Sequence, residues 1–204
     1  MNTTPLRIGV FGGAFDPPHR AHRILAETAL VQFALDELLI LPTGQAWHKS
    51  RPLTPAHHRW AMTELAFVGL PRVRLDPREI LRQGPSYTFD TLTELQAERP
   101  GHHWFLFIGE DQARVFTAWH RWQDIMRMAT LVVAERPLTP TESAGAEWHN
   151  LWQLGAHRLD MSALDISATG IRNALQDGTT PDDGPLPNVL DYIDQHQLYR
   201  PHHE

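Results

Sequence analysis

The sequence predicts an α/β fold: a mostly parallel sheet, doubly wound, with helices on both faces. Three observations carry that expectation. Residues 37–41 (ELLIL), 104–108 (WFLFI) and 131–134 (LVVA) are almost wholly apolar, as strands buried on both faces must be. Longer stretches with helical spacing of apolar residues lie between such runs, so strands and helices alternate along the chain. The first apolar run, finally, breaks at Gly12-Gly13 ahead of an amphipathic pattern. Strand, glycine turn and helix N-terminus is the layout that α/β proteins use to hold phosphate.

Taken in order, residues 6–11 read as the first buried strand and 21–33 as a helix, with Ile24, Leu25, Thr28, Val31 and Leu35 on its core face. The strand over 37–41 ends at Pro42-Thr43-Gly44, and an irregular segment with His48, Lys49 and Arg51 follows. A second helix is expected over 56–68, with Trp60, Leu65 and Phe67 apolar, then a short strand over 73–75 and a polar link to Gly84-Pro85. Ser86 is positioned to cap a helix that ends near Glu98. The strand over 104–108 gives way to Gly109-Glu110-Asp111. A helix over 119–128 and the strand over 131–134 come next. Residues 136–146 read as a loop, 147–154 as a short helix carrying Trp148 and Trp152, and 157–161 as the last strand. Ile166 leads into a helix ending near Gly178, and 188–195 form a terminal helix that docks through Val189, Leu190, Tyr192 and Ile193. With no internal repeat, residues 1–204 are expected to form one domain.

Composition narrows the function. At 204 residues and 42% hydrophobic, the chain can bury a full core. A net charge of −6 argues against wholesale binding to nucleic acid or anionic lipid, but a small polyanion held by local cations and helix ends remains open. The absence of cysteine excludes disulfides, thiolate zinc sites and a cysteine nucleophile. No run approaches membrane-spanning length and none reads as a signal peptide, so a soluble cytoplasmic protein is expected. The 13 histidines include no HExxH, and no ligand spacing supports a protein-held metal. Oligomeric state leaves no mark on the pattern.

In a sheet of this kind ligands bind beyond the carboxyl ends of the strands, which puts the turns after residues 11, 41, 108 and 161 on one rim. Gly12 and Gly13 there let backbone approach a bulky ligand. His19 and His22, three apart at a helix start, fall on one face and can donate to a phosphate whose charge grows in a transition state. Asp16 adds a carboxylate for capping or for magnesium. Ser167 can cap the late helix, while Thr169 and Arg172 add a hydroxyl and a cation to the same turn. Each motif alone is matched by a plain capped helix; it is their conjunction that points to a nucleotide.

GGAFDPPHRAH followed far downstream by ISATGIR resembles the nucleotidyltransferase superfamily with HxGH-type and late ISST-R-type motifs. Within it the chain is most similar to the bacterial nicotinate-nucleotide adenylyltransferases, on Pro85-Ser86-Tyr87-Thr88, Gly109-Glu110-Asp111, Trp119 and the closing Gln197-Leu198-Tyr199-Arg200. The resemblance implies a Rossmann-like fold, with residues 166–204 completing the ATP site, and adenylyl transfer from ATP to nicotinate mononucleotide with Mg2+ held mainly by substrate phosphates. It implies that His19, His22 and Arg172 are catalytic. Gly12, Gly13, Phe15, Ser167 and Thr169 would bind ATP. His48 and Lys49 would lie near the mononucleotide phosphate, Thr88 and Trp119 would hold and stack the pyridine ring, and Asp111 would sit near the substrates. The chain departs from the family at Ala21, where glycine is usual, at Gly170, where a larger residue is common, and at His120, where an aromatic residue often stands. Two other readings stay open: transfer to another acceptor such as phosphopantetheine, and a nucleotide-binding module without catalysis. A histidine-rich metal hydrolase lacks a supporting ligand spacing.

Overall fold

In the computed structural model, residues 4–44, 52–134, 150–161, 164, 166–180 and 184–200 are described. Six strands, β1 (Arg7–Gly13), β2 (Glu37–Pro42), β3 (Val73–Leu75), β4 (His103–Gly109), β5 (Thr130–Ala134) and β6 (His157–Leu159), form one sheet in the order β3-β2-β1-β4-β5-β6. Every pairing is parallel. The order reverses between β1 and β4, which creates the crevice expected of a doubly wound sheet.

Alternation along the strands divides the interior in two. Phe11, Leu38, Ile40, Phe105, Phe107 and Val132 face one core, shared with α1 (Arg20–Gln32), α2 (Ala56–Phe67), α8 (Ala168–Gln176) and α9 (Pro187–Gln195). Ile8, Val10, Leu39, Leu41, Trp104 and Leu106 face the other, under α4 (Thr88–Glu98), α6 (Trp122–Met128) and α7 (Asn150–Gln153). This is why the central strands carry no polar alternation: both of their faces are dry. α9 docks by Val189 and Ile193, each 0% exposed, with Leu190 and Tyr192 partly buried beside them.

Several expectations need correction. The first strand does not stop at Phe11; Gly12 and Gly13 pair with Leu41 and Pro42, so the turn begins at Ala14. The core face of α1 is Leu25, Ala26, Ala29 and Leu30, and Val31 is 78% exposed. Two alanines let the helix lie close to the sheet, so the buried stripe is rotated from the one its larger side chains mark. In α2 the buried face contains Arg59, Met62, Thr63, Ala66 and Phe67, while Trp60 is only half-buried.

The polar link before Gly84 holds a helical turn, α3 (Arg78–Leu81), where the side chain of Arg78 bridges Asp76 and Glu98. Ser86 does not cap α4: it is buried, its hydroxyl donates to the Glu79 carbonyl at 3.3 Å, and Tyr87 takes the cap position. The helix expected over 119–128 begins only at Trp122. A 3-10 turn, Phe116–Ala118, ends in extended Trp119, and Arg121 at φ 56° restarts the chain as α6. Residues 136–146 and Trp148 lie outside the described residues. Among the described residues no helix is long and apolar enough to cross a membrane.

Candidate functional site

A cavity of about 430 Å3 opens beyond the carboxyl ends of β1 and β4, where the strand order reverses. Gly12, Gly13, Phe15, His19 and His22 border it from the β1–α1 connection. Ser167, Thr169 and Arg172 enter from the start of α8, and Thr88, Asp111 and Trp119 from the opposite wall. The fold therefore brings together every anticipated site residue that lies among the described ones. His48 and Lys49 lie outside them.

The two histidines occupy the N-terminus of α1. His19 is the N-cap residue, with extended backbone, and His22 is one turn on, so their rings stack at 3.7 Å between centroids and 28° between planes. Nδ1 of His22 accepts the His19 backbone N–H at 3.1 Å. That bond places the proton of a neutral His22 ring on Nε2, leaving it as a donor. Phe15 supports this ring edge-on from 5.1 Å and is itself 1% exposed, packed against Phe11 and Phe67. Gly13 leaves room for that ring: a Cβ on it would stand 3.1 Å from the Phe15 ring, which would have to give way by a few tenths of an ångström.

Asp16 does not cap α1. Its carboxylate is 2% exposed and accepts the Tyr199 hydroxyl at 2.7 Å. The Asp16 backbone carbonyl accepts one guanidinium N–H of Arg172 at 2.7 Å, and the other arm of Arg172 donates to the Thr169 hydroxyl at 2.9 Å. Ser167 caps α8 as expected, with its hydroxyl oxygen accepting the Gly170 N–H at 3.0 Å. The α8 start thus presents a cation and two hydroxyl-bearing residues toward the histidines.

On the opposite wall, Trp119 is half-buried, with one edge tilted against Phe116 at 5.3 Å and the rest of the side chain bordering the cavity. Thr88 is the first residue of α4, and Asp111 lies in the first turn of α5 (Glu110–Ala113). His120 packs its ring against Tyr87 at 4.8 Å and borders the same space.

Two buried groups that support the site carry no motif in the sequence, and a third, Tyr199, stands in the closing Gln197-Leu198-Tyr199-Arg200 segment with no role assigned to it there. Arg59, 1% exposed, donates to the carbonyls of Thr54 and Ala14 at 2.9 Å each and of Gly44 at 3.3 Å. Burial pulls its pKa below the usual arginine value, and the charge of Asp16 opposes that pull. Glu79 is the second. Burial pushes its carboxyl pKa up, against a hydrogen bond from Thr91 at 2.8 Å, and it lines the cavity beside Thr43. Its backbone lies so close to Gly44 that a Cβ there would meet the Glu79 carbonyl oxygen at 2.0 Å. A guanidinium facing three loop carbonyls would be legible only from a contact map; an arginine in an amphipathic helix reads as solvent-facing.

A rim cavity with paired imidazoles at a helix start, and a guanidinium brought in from a distant helix, is a place to hold and neutralise phosphates. Residues 10–174 match the family described as cytidylyltransferase-like, and the chain is by class a nucleotidyltransferase. It is 48% identical over 194 residues to "Probable nicotinate-nucleotide adenylyltransferase" of Albidiferax ferrireducens, covering 95% of this chain and 98% of that one. A protein of the same name from Methylibium petroleiphilum is 43% identical over 211 residues, covering 98% and 96%. Within that class the chain belongs to the nicotinate-nucleotide adenylyltransferase family. The fold is shared with the Plasmodium falciparum nicotinic acid mononucleotide adenylyltransferase complexed with NaAD, at a TM-score of 0.74 and 20% identity over 95% of this chain and 97% of that one.

Proposed function

We propose that this chain transfers the adenylyl group of ATP to nicotinate mononucleotide, giving deamido-NAD and pyrophosphate in NAD biosynthesis. The observation that carries the reading is the cavity itself: His19, His22 and Arg172 border one part of it, Thr88 and Trp119 another. A mononucleotide phosphate oxygen attacks the α-phosphorus of ATP; that P–O bond forms as the bond to the β-phosphate bridging oxygen breaks, and pyrophosphate leaves. The nucleophile is already anionic at neutral pH, so no general base and no covalent enzyme intermediate are required.

Catalysis then consists of alignment and charge stabilisation. His22 donates from Nε2, and His19 and Arg172 add positive character at the α-phosphate and leaving group. Gly12, Gly13, Ser167 and Thr169 surround the ATP phosphates, with Phe15 fixing the loop from beneath, so that the segment from residue 166 onward completes the ATP site. Lys49 and His48 are assigned to the attacking phosphate, and Asp111, which borders the cavity, to a place near the substrates.

ATP enters as its magnesium complex. Of the carboxylates bordering the cavity, Asp16 is buried against Tyr199, and among the described residues no group of three His, Asp or Glu side chains is placed to hold a metal. Mg2+ would be held mainly by the phosphate oxygens of ATP and would supply positive charge to the leaving group.

Trp119 offers an indole face to an electron-poor pyridinium ring. Trp119→Ala is expected to raise the KM for nicotinate mononucleotide by about tenfold or more, with Tm held within about 2 °C. A large fall in Tm with little change in KM would make Trp119 a packing residue. The reading as a whole is tested by pyrophosphate release from magnesium ATP and nicotinate mononucleotide, with deamido-NAD as the co-product. No release would overturn it.

A further inference from the structure

Tyr199 lies beyond α9 and outside the cavity, and no step above uses it. Its hydroxyl nevertheless donates to Oδ1 of Asp16 at 2.7 Å across 183 residues of sequence. Oδ2 of Asp16 is 3.4 Å from the Thr54 backbone N–H, and the Asp16 carbonyl accepts Arg172 at 2.7 Å. One residue away, Phe15 has φ 47°, and the Ala14 carbonyl before it is gripped by Arg59 at 2.9 Å. A phenylalanine keeps such a left-handed conformation only where its surroundings hold it. The tail is held the same way, with Gln197 at φ 51° and Tyr199 at φ 63° turning the chain back from α9 to deliver the phenol.

We propose that Tyr199 is a positioning residue for the transfer, fixing Asp16 and, through it, the backbone that seats Arg172 and the two histidines. The proposal rests on the functional reading above. Asp16 stands three residues before the N-cap His19, so a rotation at Asp16 moves the start of α1. The same rotation moves the carbonyl that Arg172 leans on. Donors that converge on one phosphate lose their effect when displaced by less than about 1 Å. Burial, and then the charge of Asp16, push the phenol's pKa up, so Tyr199 stays a neutral donor throughout the working pH range. Removing the hydroxyl takes one short hydrogen bond from a buried carboxylate, and the loop it ties down is expected to shift in response.

The test is Tyr199→Phe, which keeps the ring and removes one oxygen. The expected result is a kcat about tenfold lower, a KM for the mononucleotide within about twofold of wild type, and Tm within about 2 °C. Hydrogen exchange in a peptide covering residues 14–19 should accelerate while the sheet strands stay protected. Wild-type kcat together with wild-type exchange would overturn the proposal. A fall in Tm with exchange accelerating across the whole sheet would also overturn it, because Tyr199 would then be packing alone. Should the wild-type protein release no pyrophosphate with the mononucleotide, the functional reading falls, and the exchange arm still decides what Tyr199 holds.

Discussion

Replacing His22 by alanine is expected to lower kcat about a hundred- to a thousandfold, with His19→Ala in the same range. Both rings sit where α1 begins, stacked at 3.7 Å, and both border the cavity. The effect should fall on kcat rather than on the KM of either substrate, because the charge these rings meet is greatest in the transition state. His22 also accepts the His19 N–H, so His22→Ala removes part of a cap that contributes about 1 kcal/mol. His22→Asn separates the two contributions: its side-chain oxygen can still accept that N–H, while the imidazole is gone. Stability should recover in this variant and turnover should not. Turnover near wild type in both alanine variants would remove the histidines from the chemistry.

The second large effect is on stability. Arg59→Met is expected to destabilise the protein by about 3 to 5 kcal/mol in denaturant titration, because a buried guanidinium is removed from three carbonyls and from the neighbourhood of Asp16. The methionine fills much of the volume, so the loss reports the polar contacts and not a cavity. Arg59→Lys should recover only a part, since one ammonium cannot reach Ala14, Gly44 and Thr54 together. A change below about 1 kcal/mol for Arg59→Met would show that the three loops hold their places without it.

These two results bear on different kinds of legibility. The strands and their order of appearance follow from runs such as ELLIL and WFLFI, because a strand dry on both faces has to be apolar throughout. His19, His22 and Arg172 were also readable, since each motif is a short run of letters at a predictable place, the turn between a strand and a helix. What the sequence hides is whatever depends on distant partners. Arg59 looks like one more surface cation of an amphipathic helix until Ala14 and Gly44 are folded against it. Asp16 looks like a cap or a magnesium ligand until Tyr199 arrives from the other end of the chain. Ser86 looks like a helix cap until the Glu79 carbonyl takes its hydroxyl. The misread face of α1 has a different cause: counting large apolar residues overlooks Ala26 and Ala29, which are the residues that allow close approach to the sheet.

In the proposed reaction the rim cavity joins ATP to nicotinate mononucleotide. The direct measurement is initial rates of pyrophosphate release from magnesium ATP with three acceptors supplied in parallel: nicotinate mononucleotide, its amide counterpart and phosphopantetheine. The highest kcat/KM is expected with nicotinate mononucleotide, and no release above background with phosphopantetheine. Release with phosphopantetheine alone, or with none of the three, would contradict the proposed reaction.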